Sequence, residues 1–342
     1  MLTVELDYPL PPDAVAHAPV EPRHASRLLD ARTLTHRTFL DLADLLEAGD
    51  LLVVNKTRVR AARLRGVKVG TGGKVEALLL RRLSPERWEA LLRPSRRLRP
   101  GVVVQFGQLR AEVVSGPVDG VAELALSGRG EVEELVEAEG EVPLPPYISC
   151  SLENPERYQT VFASRLGSSA APTAGLHFTD RVLEALARRG VELAGIDLEV
   201  GWATFRPIGV ERIEDHPMGV ERFRLPDEAA AAVERCRARG GRVVAVGTTV
   251  VRTLETCASP GGLVTAGEGQ TRLYVTPGYQ FRVVDLLVTN FHAPRSSLLA
   301  LVWAFMGEEW KKAYRTALEH GYRFLSFGDA MLAERHPGRG RE

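Results

Sequence analysis

The sequence predicts an α/β protein in which a mixed-sheet α/β domain, residues 1–61 and 143–342, is interrupted by a small all-β barrel, residues 62–142. Three observations predict it. The short apolar run at 51–54 (LLVV) and the largely apolar stretches at 242–246 (RVVAV) and 283–289 (VVDLLVT) end in polar loops, as buried strands do. After the Pro-rich passage VPLPPYI, strand and helix patterns alternate. Between about Ala62 and Val142 the chain instead shows short alternating stretches broken by glycine-rich turns, the spacing of a small barrel or sandwich.

Each element has its local reason. A Pro-rich opening leads to a strand at SRLLDA (26–31), a helix over Phe39–Ala48 and the buried strand at 51–54. In the barrel region VKV, KVEALLLRRL, RWEALLRP, GVVVQFG, LRAEVVSG and VAELALSG read as strands, with TGG, GPVDG and SGRG as turns. Thr179 caps a helix that stops at Gly190, and residues 191–200 form one or two strands. Pro226 opens a helix closed by Gly240 and Gly241. Strand 242–246 is followed by a turn at Gly247-Thr248-Thr249 and a helix at 250–258. Strand 283–289 is followed by a helix starting at Ser296 or Ser297.

Forty-four basic against 44 acidic side chains and 44% hydrophobic residues describe a folded globular chain of 342 residues, not a disordered one. Cys150, Cys236 and Cys257 lie far apart without a C-x-x-C pair, which signals neither zinc nor a disulfide framework. With no secretory leader pattern and no apolar run near the roughly 20 residues of a membrane span, the expectation is a cytoplasmic protein without membrane contact. The charge is unevenly placed. Residues 56–110 carry 15 Lys or Arg and three acidic residues, whereas 111–141 carry nine acidic residues and one Arg. The first stretch has the footprint of a phosphate-binding surface; the second, EVEELVEAEGE above all, reads as a solvated helix with repelling charges. Ordinary exposed faces would carry the same compositions.

In open α/β sheets, ligands bind beyond the carboxyl ends of the strands. Three such ends carry polar clusters: Asn55-Lys56-Thr57-Arg58, Gly247-Thr248-Thr249 with Arg252 one turn on, and Asn290-Phe291-His292. Only three asparagines exist in the chain, and two stand at these ends, each an amide able to donate and accept. Turns and caps use the same residue types. A fourth segment, Ser168–Thr179, is rich in small residues that allow close backbone approach, and His177 before a helix would be held neutral by the helix N-terminus. Gly201–Phe205, Asp215-His216 and Pro277–Phe281 are further polar turns. GVKVGTGGK at 66–74 lacks the Ser or Thr of a phosphate loop and is a hairpin turn; no dinucleotide fingerprint, hydrolase elbow or metal-spaced histidine pair occurs.

Together VNKTRVRAARLRG, LLRPSRRLRPG, VPLPPYI, RYQTVFA, AAPTAGLHFT, VGTTVVRTLET, PGYQFRVVDLLVTNFHAPRSSLLALVWAF and YRFLSFGDAML resemble the S-adenosylmethionine:tRNA ribosyltransferase-isomerase family of queuosine biosynthesis, from near Asp7 to near Leu332. The resemblance implies that the ribosyl group of S-adenosylmethionine is transferred to 7-aminomethyl-7-deazaguanine at the tRNA wobble position and rearranged. The product would be epoxyqueuosine, with adenine and methionine released. S-adenosylmethionine would be a consumed co-substrate, with no resident cofactor or metal, and the enzyme a monomer binding the tRNA anticodon stem-loop.

For such a reaction His177 and His292, both flanked by small or apolar residues at predicted strand–helix junctions, are the acid/base candidates, with His216 and Asp215 behind them. Asn55, Thr57, Arg58, Thr173, Ala174, Gly175, Phe178, Thr204, Gly247, Thr248, Thr249, Arg252, Tyr279 and Asn290 are expected to line the pocket. Lys74, Arg93, Arg96, Arg97 and Arg99 of the barrel would grip tRNA phosphates. The chain departs from the family where D-H-x-M-H-x-E reads Asp215-His216-Pro217-Met218-Gly219-Val220-Glu221, and where L-H-V-G-x-G-T-F has Glu199 for histidine and Ala203 for glycine. Two rivals are an S-adenosylmethionine-dependent RNA methyltransferase, whose glycine-rich first turn is missing, and a non-catalytic RNA-binding protein, which leaves the polar strand ends unexplained.

Overall fold

The computed structural model describes residues 1–148, 152, 154–201, 204 and 206–337. Cys150, Trp202, Ala203 and Phe205 therefore lie outside the described residues. The chain divides into two compact units, one of Met1–Arg58, Pro145–Arg165 and Ala171–Glu342, the other of Val59–Leu144 and Leu166–Ala170. Residues 166–170, expected in the larger domain, belong to the smaller unit, where the Arg60 N–H donates to Ser168 O at 2.9 Å.

The larger unit is built on a nine-stranded mixed sheet. Four parallel neighbours form its centre, in the order Glu192–Leu198, Leu51–Asn55, Val243–Val246 and Leu286–Asn290. Ala330–Glu334 runs antiparallel to the last of these and parallel to Arg27–Asp30, and Thr35–Thr38 forms the edge. On the other side Glu221–Leu225 and Gly267–Thr271 add antiparallel strands. The central strands are unbroken apolar runs because both faces are covered. On one face Leu52, Val54, Val244, Val246, Leu286 and Val288 meet Phe39, Leu42, Leu46 and, from the helix Asp180–Arg188, Val182 and Leu186. Leu51, Val53, Val243, Ala245 and Leu287 face the other way and are as fully buried, beneath the helices Asp227–Ala238 and Thr248–Thr256.

Local expectations need three corrections. The helix expected over Phe39–Ala48 is a 3₁₀ turn, Phe39–Asp41, and one α-turn, Leu42–Leu45, because the Asp50 carboxylate takes the Glu47 N–H at 2.9 Å and Gly49 turns the chain with φ 95°. Thr248 and Thr249 stand in the first turn of a helix, not in a loop; Gly247, at φ 85°, lets the strand pass straight into it. Thr179 begins its helix without a side-chain cap, since its hydroxyl faces His24 Nδ1 at 2.8 Å.

The smaller unit is a closed antiparallel barrel in the order Val121–Ser127, Arg87–Arg93, Lys74–Arg82, Arg63–Lys68, Val103–Phe106, Leu109–Val118. Alternation decides what is inside: Val75, Ala77 and Leu79, then Trp88, Ala90 and Leu92, then Ala122, Leu124 and Leu126 fill the interior. Gly66 is obligatory, since a Cβ there would stand 2.1 Å from Gln105 O. The acidic segment does form a helix, Val132–Glu139, with Glu134 and Glu137 exposed and one face turned inward. Val136 is fully buried in the barrel core, and Glu133 bridges Arg60 and Arg82.

Candidate active site

The four central strands deliver Leu198, Asn55, Gly247 and Asn290 to the same carboxyl edge of the sheet, drawn from positions up to 235 residues apart. That edge is where an open α/β sheet presents side chains and helix N-termini to a ligand.

At Asn290 a polar chain starts. The Thr173 hydroxyl donates to Asn290 Oδ1 at 2.9 Å, which leaves Nδ2 to donate to His177 Nε2 at 3.1 Å. With Nε2 accepting, the imidazole proton sits on Nδ1, 2.7 Å from the Ser26 hydroxyl. The His177 ring also stacks on Phe39 at a centroid distance of 4.9 Å. Burial pushes its pKa down from the ordinary 6.5 to about 3, with Arg323 and Arg23 adding to the effect. The expected cause, a helix N-terminus, is replaced by desolvation: His177 ends a 3₁₀ turn, Thr173–His177, inside the core.

His292 is set differently. Its Nε2 lies 2.8 Å from the Thr289 hydroxyl, its N–H donates to Tyr314 Oη at 3.0 Å, and its carbonyl accepts from Tyr8 Oη. Nδ1 has no partner among the described residues. Desolvation lowers the pKa to about 3 here too, so both imidazoles are neutral at pH 7.

The helix Thr248–Thr256 carries Arg252, whose guanidinium is buried on Glu221 and donates from Nε to Leu273 O at 2.9 Å. The other Glu221 oxygen accepts the Gly201 N–H at 2.9 Å and the Thr204 hydroxyl at 3.1 Å. One carboxylate therefore ties together three of the motif segments. At the other end of the helix, Glu255 accepts from the N–H groups of Arg282, Val283 and Val284 at 2.9–3.2 Å and from Tyr279 Oη at 3.4 Å. His216 is half-buried with its ring 5.9 Å from that of Tyr274, and its pKa is lowered by burial; Asp215 is exposed beside it.

Several expected ligand groups are spent on the fold. Asn55 Nδ2 donates to Leu198 O at 2.9 Å, and Oδ1 accepts from Leu198 N–H, Thr57 N–H and the Thr57 hydroxyl at 3.0–3.2 Å. Asn55 thus locks two parallel strands together, with its amide oxygen and the Thr57 hydroxyl engaged at that junction. Arg58 is forked onto Glu156 at the surface. Phe178 and Ala174 belong to the apolar core, where Phe178 is fully buried edge-on to Phe39 and Phe162. Gly175 is small for packing, since a Cβ would come within 2.9 Å of Thr160 Cγ2.

Ser26, Thr289, Glu221 and Glu255 escaped the sequence reading. Glu221 stood inside a motif and could have been found there; Ser26 lies 151 residues from its partner and carries no local signal. Among the described residues no three His, Cys, Asp or Glu side chains are grouped to hold a metal ion, and no helix is long and apolar enough to cross a membrane.

In the smaller unit the basic stretch divides in two. Arg60, Arg63, Arg65, Arg81, Arg82 and Arg87 are ion-paired with Glu133, Glu76, Glu141, Glu89 and Glu123, so their charge is balanced locally. Lys74, Arg93, Arg96, Arg97 and Arg99 are exposed, with no carboxylate partner among the described residues. Leu98 plugs into the barrel core and leaves its arginine neighbours outside. Lys68, which donates to Arg97 O at 3.4 Å, joins them.

Residues 3–333 match the family described as Queuosine biosynthesis protein. The chain is 52% identical over 337 residues to the S-adenosylmethionine:tRNA ribosyltransferase-isomerase of Moorella thermoacetica, covering 96% of this chain and 98% of that one. It is 50% identical over 336 residues to the protein of the same name from Gloeobacter violaceus, covering 97% and 95%. Among solved structures it resembles the S-adenosylmethionine tRNA ribosyltransferase from Thermotoga maritima, at 37% identity and a TM-score of 0.54, covering 96% of this chain and 99% of that chain.

Proposed function

The chain belongs to the queuosine biosynthesis protein family, and on that premise we propose that it is an S-adenosylmethionine:tRNA ribosyltransferase-isomerase. It would transfer and isomerise the ribosyl group of S-adenosylmethionine onto 7-aminomethyl-7-deazaguanine at the wobble position, giving epoxyqueuosine-tRNA, adenine and methionine. What carries the reading is similarity at about half identity over nearly the whole of both chains.

The chemistry sets four tasks. The sulfonium acidifies the ribose C5′ proton, which a base removes; collapse of the ylide expels adenine, which needs a proton; the tRNA amine must be neutral to attack; and the base must be splayed out of its stack. His292, neutral and with Nδ1 unengaged, accepts a proton in this scheme. His177 has both ring nitrogens in hydrogen bonds and acts as a positioning residue, aligning Asn290 at the strand end. The exposed arginines around Leu98 hold the anticodon stem-loop. S-adenosylmethionine is consumed as co-substrate, with no resident cofactor, and the enzyme works as a cytoplasmic monomer.

The test is incubation with S-adenosylmethionine and tRNA bearing the deazaguanine precursor, followed by nucleoside mass analysis. Adenine and methionine report ribosyl transfer. S-adenosylhomocysteine would report methylation and sink the reading.

A further inference from the structure

The helix Thr248–Thr256 starts at Gly247 without a capping side chain, at the carboxyl end of a central strand. Thr249 turns its hydroxyl back to that start: Oγ1 lies 3.7 Å from where a Cβ on Gly247 would be. This hydroxyl is buried and has no hydrogen-bond partner. Arg252, three residues on and so on the same helix face, has Nη1 on Glu221 and Nε on Leu273 O, while Nη2 is also buried without a partner. Thr249 and Arg252 are 9% and 7% exposed, each more than nine-tenths buried. Gly201 N–H and the Thr204 hydroxyl occupy the other Glu221 oxygen, so both Glu221 oxygens are engaged while the helix start and Arg252 retain donors.

We propose that this end of the helix is the subsite for the α-carboxylate of the aminoacyl arm of S-adenosylmethionine, the part that leaves as methionine. The inference rests on the ribosyl-transfer reading and assigns one end of its co-substrate. A buried donor without an acceptor is costly, and an entering carboxylate, which only accepts, satisfies the hydroxyl, the guanidinium and the helix N–H groups together. The charge selects the class of anion. Glu221 already neutralises Arg252, and what remains is the helix partial charge of about +0.5, suited to a carboxylate monoanion rather than a phosphate dianion. Gly247 and Ala174, whose methyl lies 3.6 Å from the missing Cβ, keep the approach narrow.

The experiment measures binding of S-adenosylmethionine and of its decarboxylated analogue to the full chain by calorimetry. The wild type should favour the carboxylate-bearing ligand by about 10- to 100-fold. Thr249→Val, which leaves the Arg252–Glu221 pair intact and so folds, should reduce that preference several-fold, and the double variant R252Q/E221Q should abolish it. Equal affinity of the wild type for both ligands, an unchanged preference in Thr249→Val, or displacement by inorganic phosphate as effective as by methionine would each overturn the subsite. If S-adenosylmethionine binds but no adenine is released with precursor tRNA, the parent reading falls instead, and the assignment to a ribosyl donor falls with it.

Discussion

Acidification from pH 8 to about 5.5 should weaken this fold through two buried histidines. His177 and His292 carry folded pKa values of about 3 against an ordinary 6.5. Between those limits the unfolded chain holds protons that the folded chain refuses, so stability rises with pH and is lost as pH falls below 6.5; below about 3 the loss levels off. Each pH unit in that window costs about 1.4 kcal/mol per histidine, so at pH 5.5 the pair removes about 3 kcal/mol, a sizeable part of the 5–15 kcal/mol typical of a domain. Paired carboxylates such as Asp50, held below its ordinary range by the hydrogen bond to Arg242 despite burial, lose their contribution only at lower pH and do not blur this window. Urea unfolding followed by circular dichroism at constant ionic strength reads the effect as a falling midpoint. His177→Gln and His292→Gln should each remove a large and similar share of the slope, leaving a smaller remainder to His216, whose pKa burial also lowers. A midpoint constant from pH 8 to 5.5 in the wild type, or a slope undiminished in both variants, would refute the argument. The same neutrality shapes the chemistry: at pH 7 these imidazoles accept protons and are not stocked imidazolium donors.

Alanine at His292 should suppress adenine release far more than alanine at His177, whose variant should keep measurable turnover with a raised KM; near-normal turnover in both would remove histidine from the mechanism. Asn55→Ala strands the buried N–H groups of Leu198 and Thr57 and should cost about 2–6 kcal/mol in denaturant titration while leaving the KM of the folded fraction near normal; the reverse pattern would restore Asn55 as a ligand group. Replacing Arg96 and Arg97 together by alanine should lower the log–log salt slope of tRNA binding by about 1.4 to 1.8 and spare S-adenosylmethionine binding; an unaltered slope would put the tRNA elsewhere. Glu255→Gln turns an acceptor into a donor facing backbone N–H groups, so amide exchange over residues 279–284 should accelerate, at a cost of about 1–3 kcal/mol; unchanged exchange would show that the loop is held by other contacts.

Patterns of short range were legible in the chain itself. The runs at 51–54, 243–246 and 286–288 are apolar on successive residues, as a strand covered on both faces requires. The period-2 alternation of KVEALLLRR and RWEALLR likewise announces a barrel wall with one face inside. Glycine at 247 marks a sharp passage into a helix, although its exact start did not follow from composition. Motif order was enough for the family.

Partnership was decided by the tertiary structure alone. Asn55 and Asn290 look alike in the sequence, each ending a buried strand, yet Asn55 meets Leu198 and is consumed by the backbone, while Asn290 meets His177. Residues 56–110 look uniformly basic until six arginines find glutamates and the loop around Leu98 does not. Periodicity and turn chemistry are encoded within a few residues of where they act. Whether a polar group is satisfied depends on which strand becomes its neighbour, and that is settled only when segments more than 100 residues apart close on one sheet edge.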